Sequence, residues 1–172
     1  LQSLEGSFET EPAIILIVGP GFLKQEFREY LSANRRDLAG AARIGNVSVG
    51  GAAGVSEALR AGLISRYASE ARAVLETQLV EDAFLRLSRD DGSITYGREP
   101  VQRAADYGAV ERLLVSDRLL RSTSDEEWLS ITRLVETVEK KGGKTNIVTS
   151  ETEAGDKLYS VGGLMAVLRW RL

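Results

Sequence analysis

This sequence predicts an α/β protein built from two modules, and three observations carry that expectation. Strand-length apolar runs alternate with helix-period segments along most of the 172 residues, an order that builds sheets with helices packed on their faces. Glycine clusters at Gly19-Pro20-Gly21, Gly50-Gly51 and Gly142-Gly143 stand between those segments, where the chain has to turn. One segment, from about Ser69 to Arg89, contains neither Gly nor Pro. It reads as a long helix opening a second module, so the expected domains are 1–67 and 68–172.

The elements follow in order. Ala13 to Val18 is a continuous β-branched and apolar run between Pro12 and Gly19, the pattern of a strand buried on both faces in a parallel sheet. A helix from about Phe22 to Ala33 carries Leu23, Phe27, Tyr30 and Leu31 at helical spacing. Arg43 to Val49 is a second strand, and Gly50-Gly51 leads into a short helix with Val55, Ala58 and Leu59, closed by Gly62. The long helix presents Leu75, Leu79, Phe84 and Leu87 as its apolar side and stops at Asp91-Gly92. Ile94–Tyr96 is a short strand, Pro100–Tyr107 a helix ended by Gly108, and Val110–Val115 a strand. Ser124-Asp125-Glu126-Glu127 has the form of a capping box, opening a helix with Trp128, Ile131, Val135 and Val138 toward the core. Ile147-Val148 is a strand, Ala154–Tyr159 a helix, and Leu164–Leu172 the closing strand.

Composition narrows the chemistry. Hydrophobic residues make up 43% of the chain, enough for real cores, and charged residues 27%. The net charge of -3 opposes an all-over electrostatic grip on RNA, which needs clustered Lys and Arg; a local basic patch stays compatible. With no Cys and no His, thiolate zinc sites, disulfides, cysteine nucleophiles and imidazole bases are all removed. No apolar run approaches the roughly 18 residues that cross a bilayer. The chain opens on Leu1 without Met or a charged leader, so the expectation is a fragment with no visible signal peptide.

Four sets of residues could carry function. Gly19-Pro20-Gly21-Phe22-Leu23-Lys24 lies at a strand-to-helix turn, where free N–H groups can hold an anion. It lacks the Gly-Lys-Ser/Thr of a phosphate loop and the final Gly of a dinucleotide fingerprint, so a tight turn with Phe22 stapling the helix to the sheet is the alternative. Gly50-Gly51-Ala52-Ala53-Gly54 is a second such turn. Arg35, Arg36 and Arg43 form the nearest approach to a basic patch and are candidate RNA contacts, while Arg169 and Arg171 alternate with Leu168 and Trp170 on the last strand. Asp90-Asp91, Glu126-Glu127 and Glu151/Glu153 are the carboxylate pairs a metal nuclease would need, although helix capping accounts for two of these sets.

Taken together, these stretches resemble the Pelota family, archaeal and eukaryotic relatives of the class 1 release factors. The matching words are Gly19-Pro20-Gly21-Phe22-x-Lys24 and Gly50-Gly51-x-x-Gly54-Val55, each after a strand. They continue with Tyr96-Gly97, Val101 and Ala104, then Gly108-Ala109-Val110-Glu111-x-Leu113-Leu114-Val115-Ser116-Asp117, and finally Glu153-x-Gly155-x-x-Leu158 with Gly162-Gly163. Phe22 after Gly-Pro-Gly, together with the short Arg121–Asp125 loop, favours Pelota over the release factors.

The resemblance implies a truncated ribonuclease-H-like central module followed by an α-β-α sandwich of the kink-turn-binding ribosomal protein type. It implies a cytoplasmic ribosome-rescue factor of the no-go decay kind. Its partners would be the ribosome, an elongation-factor-1A-like GTPase and a recycling ABC-type ATPase, with ribosomal RNA and mRNA met indirectly and no membrane. On this similarity Gly19, Pro20, Gly21, Phe22, Lys24 and Glu153 are candidate partner contacts. No catalytic residue, metal site or cofactor is expected, except a divalent metal if the endoribonuclease activity ascribed to the family holds. Two departures stand out: Thr152 replaces a common His, and Val49 interrupts a usual Ser pair near Ser48. A metal-dependent endoribonuclease and a stand-alone kink-turn RNA-binding module are the alternatives.

Overall fold

The computed structural model describes residues 14–172, which divide into two compact units at Arg72/Ala73. Ala13, the expected start of the first strand, lies outside the described residues.

In the first unit β1 (Ile15–Gly19) leads through α1 (Leu23–Asn34) and α2 (Arg36–Ala41) to β2 (Ala42–Asn46), which pairs with β1 in parallel from Ile15↔Ala42 to Gly19↔Asn46. α3 (Gly51–Arg60) follows, then the start of α4 (Leu63–Ser88). Leu31, Leu38 and Ala42 form a small core with Ile15 and Ile17 against it. Two expectations are corrected. β1 is only half-buried along its length, because its sheet has two strands among the described residues and offers less cover than a wide parallel sheet. The apolar stripe expected to seat α1 faces outward: Leu31 is buried, whereas Leu23, Phe27 and Tyr30 are exposed, with the Phe27 and Tyr30 rings stacked 6.4 Å apart. α2 was not expected at all, and it supplies Leu38 to the core.

The second unit is a three-layer sandwich. β3 (Ile94–Tyr96), α5 (Arg98–Asp106), β4 (Val110–Ser116), α6 (Asp117–Ser122), α7 (Asp125–Lys140), β5 (Lys144–Val148), α8 (Glu153–Ser160) and β6 (Leu164–Leu168) follow the remainder of α4. The sheet order is β3-β6-β4-β5, with β6 antiparallel to β3 and β4, and β5 parallel to β4. Strand alternation distributes the side chains. Leu164, Ala166 and Leu168 meet Val101, Ala104, Ile131, Leu134 and Val138 of α5 and α7 on one face. Met165 and Val167 meet Val80, Ala83 and Leu158 of α4 and α8 on the other. Val110 and Leu113, at odd spacing, share one face because the register of β4 on β6 shifts between Val110 and Arg112; an extra residue in a bulge reverses the alternation.

The capping box is complete: the Ser124 hydroxyl accepts from the Glu127 N–H, and the Glu127 carboxylate accepts from the Ser124 N–H. Trp128, assigned to the core side of α7, is instead exposed, and Leu134 takes that place. β6 ends at Leu168, four residues short of the expected strand end, leaving Arg169 to Leu172 exposed.

Candidate functional site

The β1–α1 turn is built around an inward-turned lysine. The Lys24 side chain is 7% exposed, and its ammonium donates to the carbonyls of Gly19 at 2.9 Å and Gly21 at 2.7 Å. Those carbonyls belong to the end of β1 and to the turn, so one cation ties strand, turn and helix together. The charge is thereby spent inside the protein. Phe22, by contrast, is 80% exposed. The staple onto the sheet is therefore overturned: the ring stands off the turn beside Leu23 and buries almost nothing in this unit. A large aromatic held outward on a clamped turn is suited to entering a partner's pocket.

The second glycine turn is set by packing. A Cβ on Gly54 would lie 2.3 Å from the Val49 carbonyl oxygen, so only hydrogen fits where α3 crosses the turn. Glu57 of α3 accepts from the Ser48 N–H with both carboxylate oxygens, at 2.9 Å each, and from its hydroxyl. Ser48 thus has a structural partner, and the neighbouring Val49 is exposed.

Two of the three candidate RNA-contact arginines are occupied within this unit. Arg35 forks onto Asp37 through Nε and Nη2, and that guanidinium holds the Asp37 carboxyl below its usual range. Arg43 donates to the Gly40 and Ala42 carbonyls. Arg36 is exposed on the first turn of α2.

In the second unit Glu153 lies exposed in the first turn of α8, paired with Lys157 at 2.9 Å. The Lys157 ammonium depresses the Glu153 carboxyl, and Glu153 raises Lys157 in return. The loop before it is tightly held. Thr152 is the N-cap of α8, accepting from the Gly155 N–H at 3.2 Å, which gives this departure a physical role. A Cβ on Gly155 would fall 2.0 Å from the Thr149 carbonyl oxygen. Glu76 of α4, 3% exposed, accepts from the Thr149 N–H at 2.8 Å, and Asp117 accepts from the Ser150 N–H at 2.9 Å. Sequence reasoning missed Glu76, whose partner lies 73 positions away.

One member of each carboxylate pair is engaged locally. Asp91 accepts from the Ser93 hydroxyl and N–H, which hold its carboxyl below the usual range. Glu127 closes the capping box and takes bonds from Thr123 and Arg98; the Thr123 hydroxyl does most to lower its carboxyl. Among the described residues no three acidic, His or Cys side chains converge into a metal cage, and no helix is long and apolar enough to cross a membrane.

Residues 73–172 match the family model described as eRF1 domain 3. Over its whole length the chain is 39% identical to a protein pelota homolog of Methanothermobacter thermautotrophicus, of which it covers 46%. An archaeal Pelota described as ribosome-bound with ABCE1 superposes over 91% of this chain and 43% of its own, with a TM-score of 0.75 and 36% identity. Dom34 of S. cerevisiae, described as a translation termination-like factor interacting with Hbs1, superposes over 92% of this chain and 47% of its own, with a TM-score of 0.64 and 26% identity. The chain spans about half the length of the relatives it matches.

Proposed function

The chain belongs to the Pelota family, and from that premise we propose that it serves a cytoplasmic ribosome-rescue factor as a docking segment, without reactive groups of its own. The observation that carries this reading is the likeness, over nearly all of the chain, to a ribosome-bound relative seen with ABCE1. The relative that interacts with Hbs1 supports an elongation-factor-1A-like GTPase as a further partner, and ABCE1 supports a recycling ABC-type ATPase. Ribosomal RNA and mRNA enter indirectly, through the ribosome.

The local geometry gives the proposal its residues. Gly19, Pro20 and Gly21 form the turn, Lys24 locks it from inside, and Phe22 is the side chain a partner would receive. Glu153, exposed on a helix whose leading loop is held by α4 through Glu76 and by α6 through Asp117, is the matching contact on the second unit. The mixed sheet with helices on both faces supports kinship of that unit with kink-turn-binding ribosomal proteins. The parallel β1–β2 pair supports a truncated ribonuclease-H-like fold for the first.

The test is a pull-down of the purified chain against an elongation-factor-1A-like GTPase loaded with a non-hydrolysable GTP analogue. Binding at micromolar concentration is expected, weakened about tenfold or more by Phe22→Ala, as for a central aromatic anchor. Absence of binding by the unaltered chain would overturn the GTPase assignment.

A further inference from the structure

At the end of the second unit where β4 and β5 begin, three loops meet, and they gather cations and exposed aromatic rings that the docking reading leaves unused. The Arg169 N–H donates to the Ala109 carbonyl at 2.8 Å, which sets the segment after β6 beside the α5–β4 loop carrying Tyr107. Lys141 reaches the same loop: its ammonium donates to the Ala105 carbonyl at 3.1 Å and to that of Asp106. Arg169 in turn donates to the Lys141 carbonyl at 3.2 Å. Lys140-Lys141-Gly142-Gly143-Lys144 and Arg169-Trp170-Arg171 thus lie together, and neither stretch contains a carboxylate. All five cations are exposed. Tyr107 is 71% and Trp170 50% exposed.

Acids border this end as well: Glu136 and Glu139 on α7, Asp106 at the end of α5, Glu111 at the start of β4 and Asp91 ahead of β3. Lys140 pairs with Glu136, and Asp91 lies near enough to Arg171 to feel its charge. Asp106 is engaged by Gln102. Lys144 and Arg169 have no carboxylate partner among the ion pairs of the described residues.

We infer that this end of the second unit is a binding surface for single-stranded RNA, with Tyr107 and Trp170 as stacking platforms and Lys144, Arg169 and Arg171 as phosphate contacts. Cations alone would serve an acidic protein equally well. The two rings decide between them: an exposed indole and phenol next to cations match a strand that alternates planar bases with phosphates. This surface is separate from the Arg35, Arg36 and Arg43 group, two of whose members are held by their own unit, and it does not depend on the GTPase assignment.

The experiment is fluorescence anisotropy of the full chain with a labelled oligouridylate of about twelve nucleotides, within the site sizes of simple single-strand binders, from 50 to 200 mM KCl. Trp170→Ala and Tyr107→Ala should each weaken binding about five- to a hundred-fold, the worth of one stacked base. Neutralising Lys144 with Lys144→Gln should flatten the salt dependence by about 0.7 in the log–log slope. Both rings are exposed, so either variant can stand in if the other fails to fold. No binding at 50 mM KCl would overturn the assignment. So would affinity unchanged in both ring variants, the behaviour of a surface for acidic proteins, or affinity lost only on Arg36→Ala.

Discussion

Replacing Lys24 by Met separates the two roles assigned to the β1–α1 turn. The substitution keeps a long apolar stem in the space the lysine stem fills and removes only the ammonium with its bonds to the Gly19 and Gly21 carbonyls. Charged hydrogen bonds are worth about 1.5–3 kcal/mol each, but two corrections lower the sum. Gly21 is exposed, so water can satisfy its carbonyl, and the lysine no longer has to be desolvated. The net loss should be about 1.5–3 kcal/mol, or roughly a ten- to hundred-fold shift in the folding equilibrium of the first unit. Both tryptophans, Trp128 and Trp170, lie in the second unit, so tryptophan fluorescence would miss the effect. Amide hydrogen exchange along β1 and α1 in mild denaturant reads it directly, with faster exchange expected there and none in the second unit. GTPase binding should weaken as well, since the turn no longer holds Phe22 in place. Phe22→Ala should lose binding with stability changed by less than about 0.5 kcal/mol, as for an exposed side chain. Unchanged exchange in Lys24→Met would refute the reasoning, because a clamp that can be removed at no cost is not holding the turn.

Gly155→Ala should destabilise the second unit by at least about 1–3 kcal/mol, the usual range for overpacking, because its Cβ would overlap the Thr149 carbonyl; urea unfolding followed by tryptophan fluorescence reads this. Glu76→Ala leaves the Thr149 N–H without its acceptor and should cost about 1–3 kcal/mol, with the Thr149 amide exchanging faster than in the unaltered chain. The Glu127 carboxyl is depressed in the folded state. Its contribution is therefore present above the ordinary glutamate range and is lost as pH falls through the lower folded value. Exchange at the first turn of α7 should accelerate as the pH drops from 6 to 3 relative to the helix centre, and Glu127→Gln should remove that difference.

Much of this protein is legible without coordinates, because its signals are local. The apolar run Leu164–Leu168 can be read off adjacent letters, as can the Ser124-to-Glu127 capping box, the glycine stops and the Asp91-Gly92 end of the long helix. The Gly-Pro-Gly-Phe and Gly-Ala-Val-Glu words placed the family. What failed depended on surroundings. Helical spacing groups Leu23, Phe27 and Tyr30 on one side of α1, but whether that side meets a core or solvent depends on what packs against it. The same limit misplaced Trp128, and it left Phe22 as a staple when the ring points outward.

By itself, then, the sequence determined the α/β class, the family and the order of elements apart from the short helices α2 and α6, since backbone propensity, capping and turn chemistry act over a few residues. Only the tertiary structure decided where charge and aromatic surface end up. Lys24 is buried because two carbonyls of its own turn converge on it. Glu76 finds Thr149 across 73 positions, and Tyr107, Lys141 and Arg169 become neighbours only when the sheet closes. Such contacts are fixed by packing and leave no pattern along the chain.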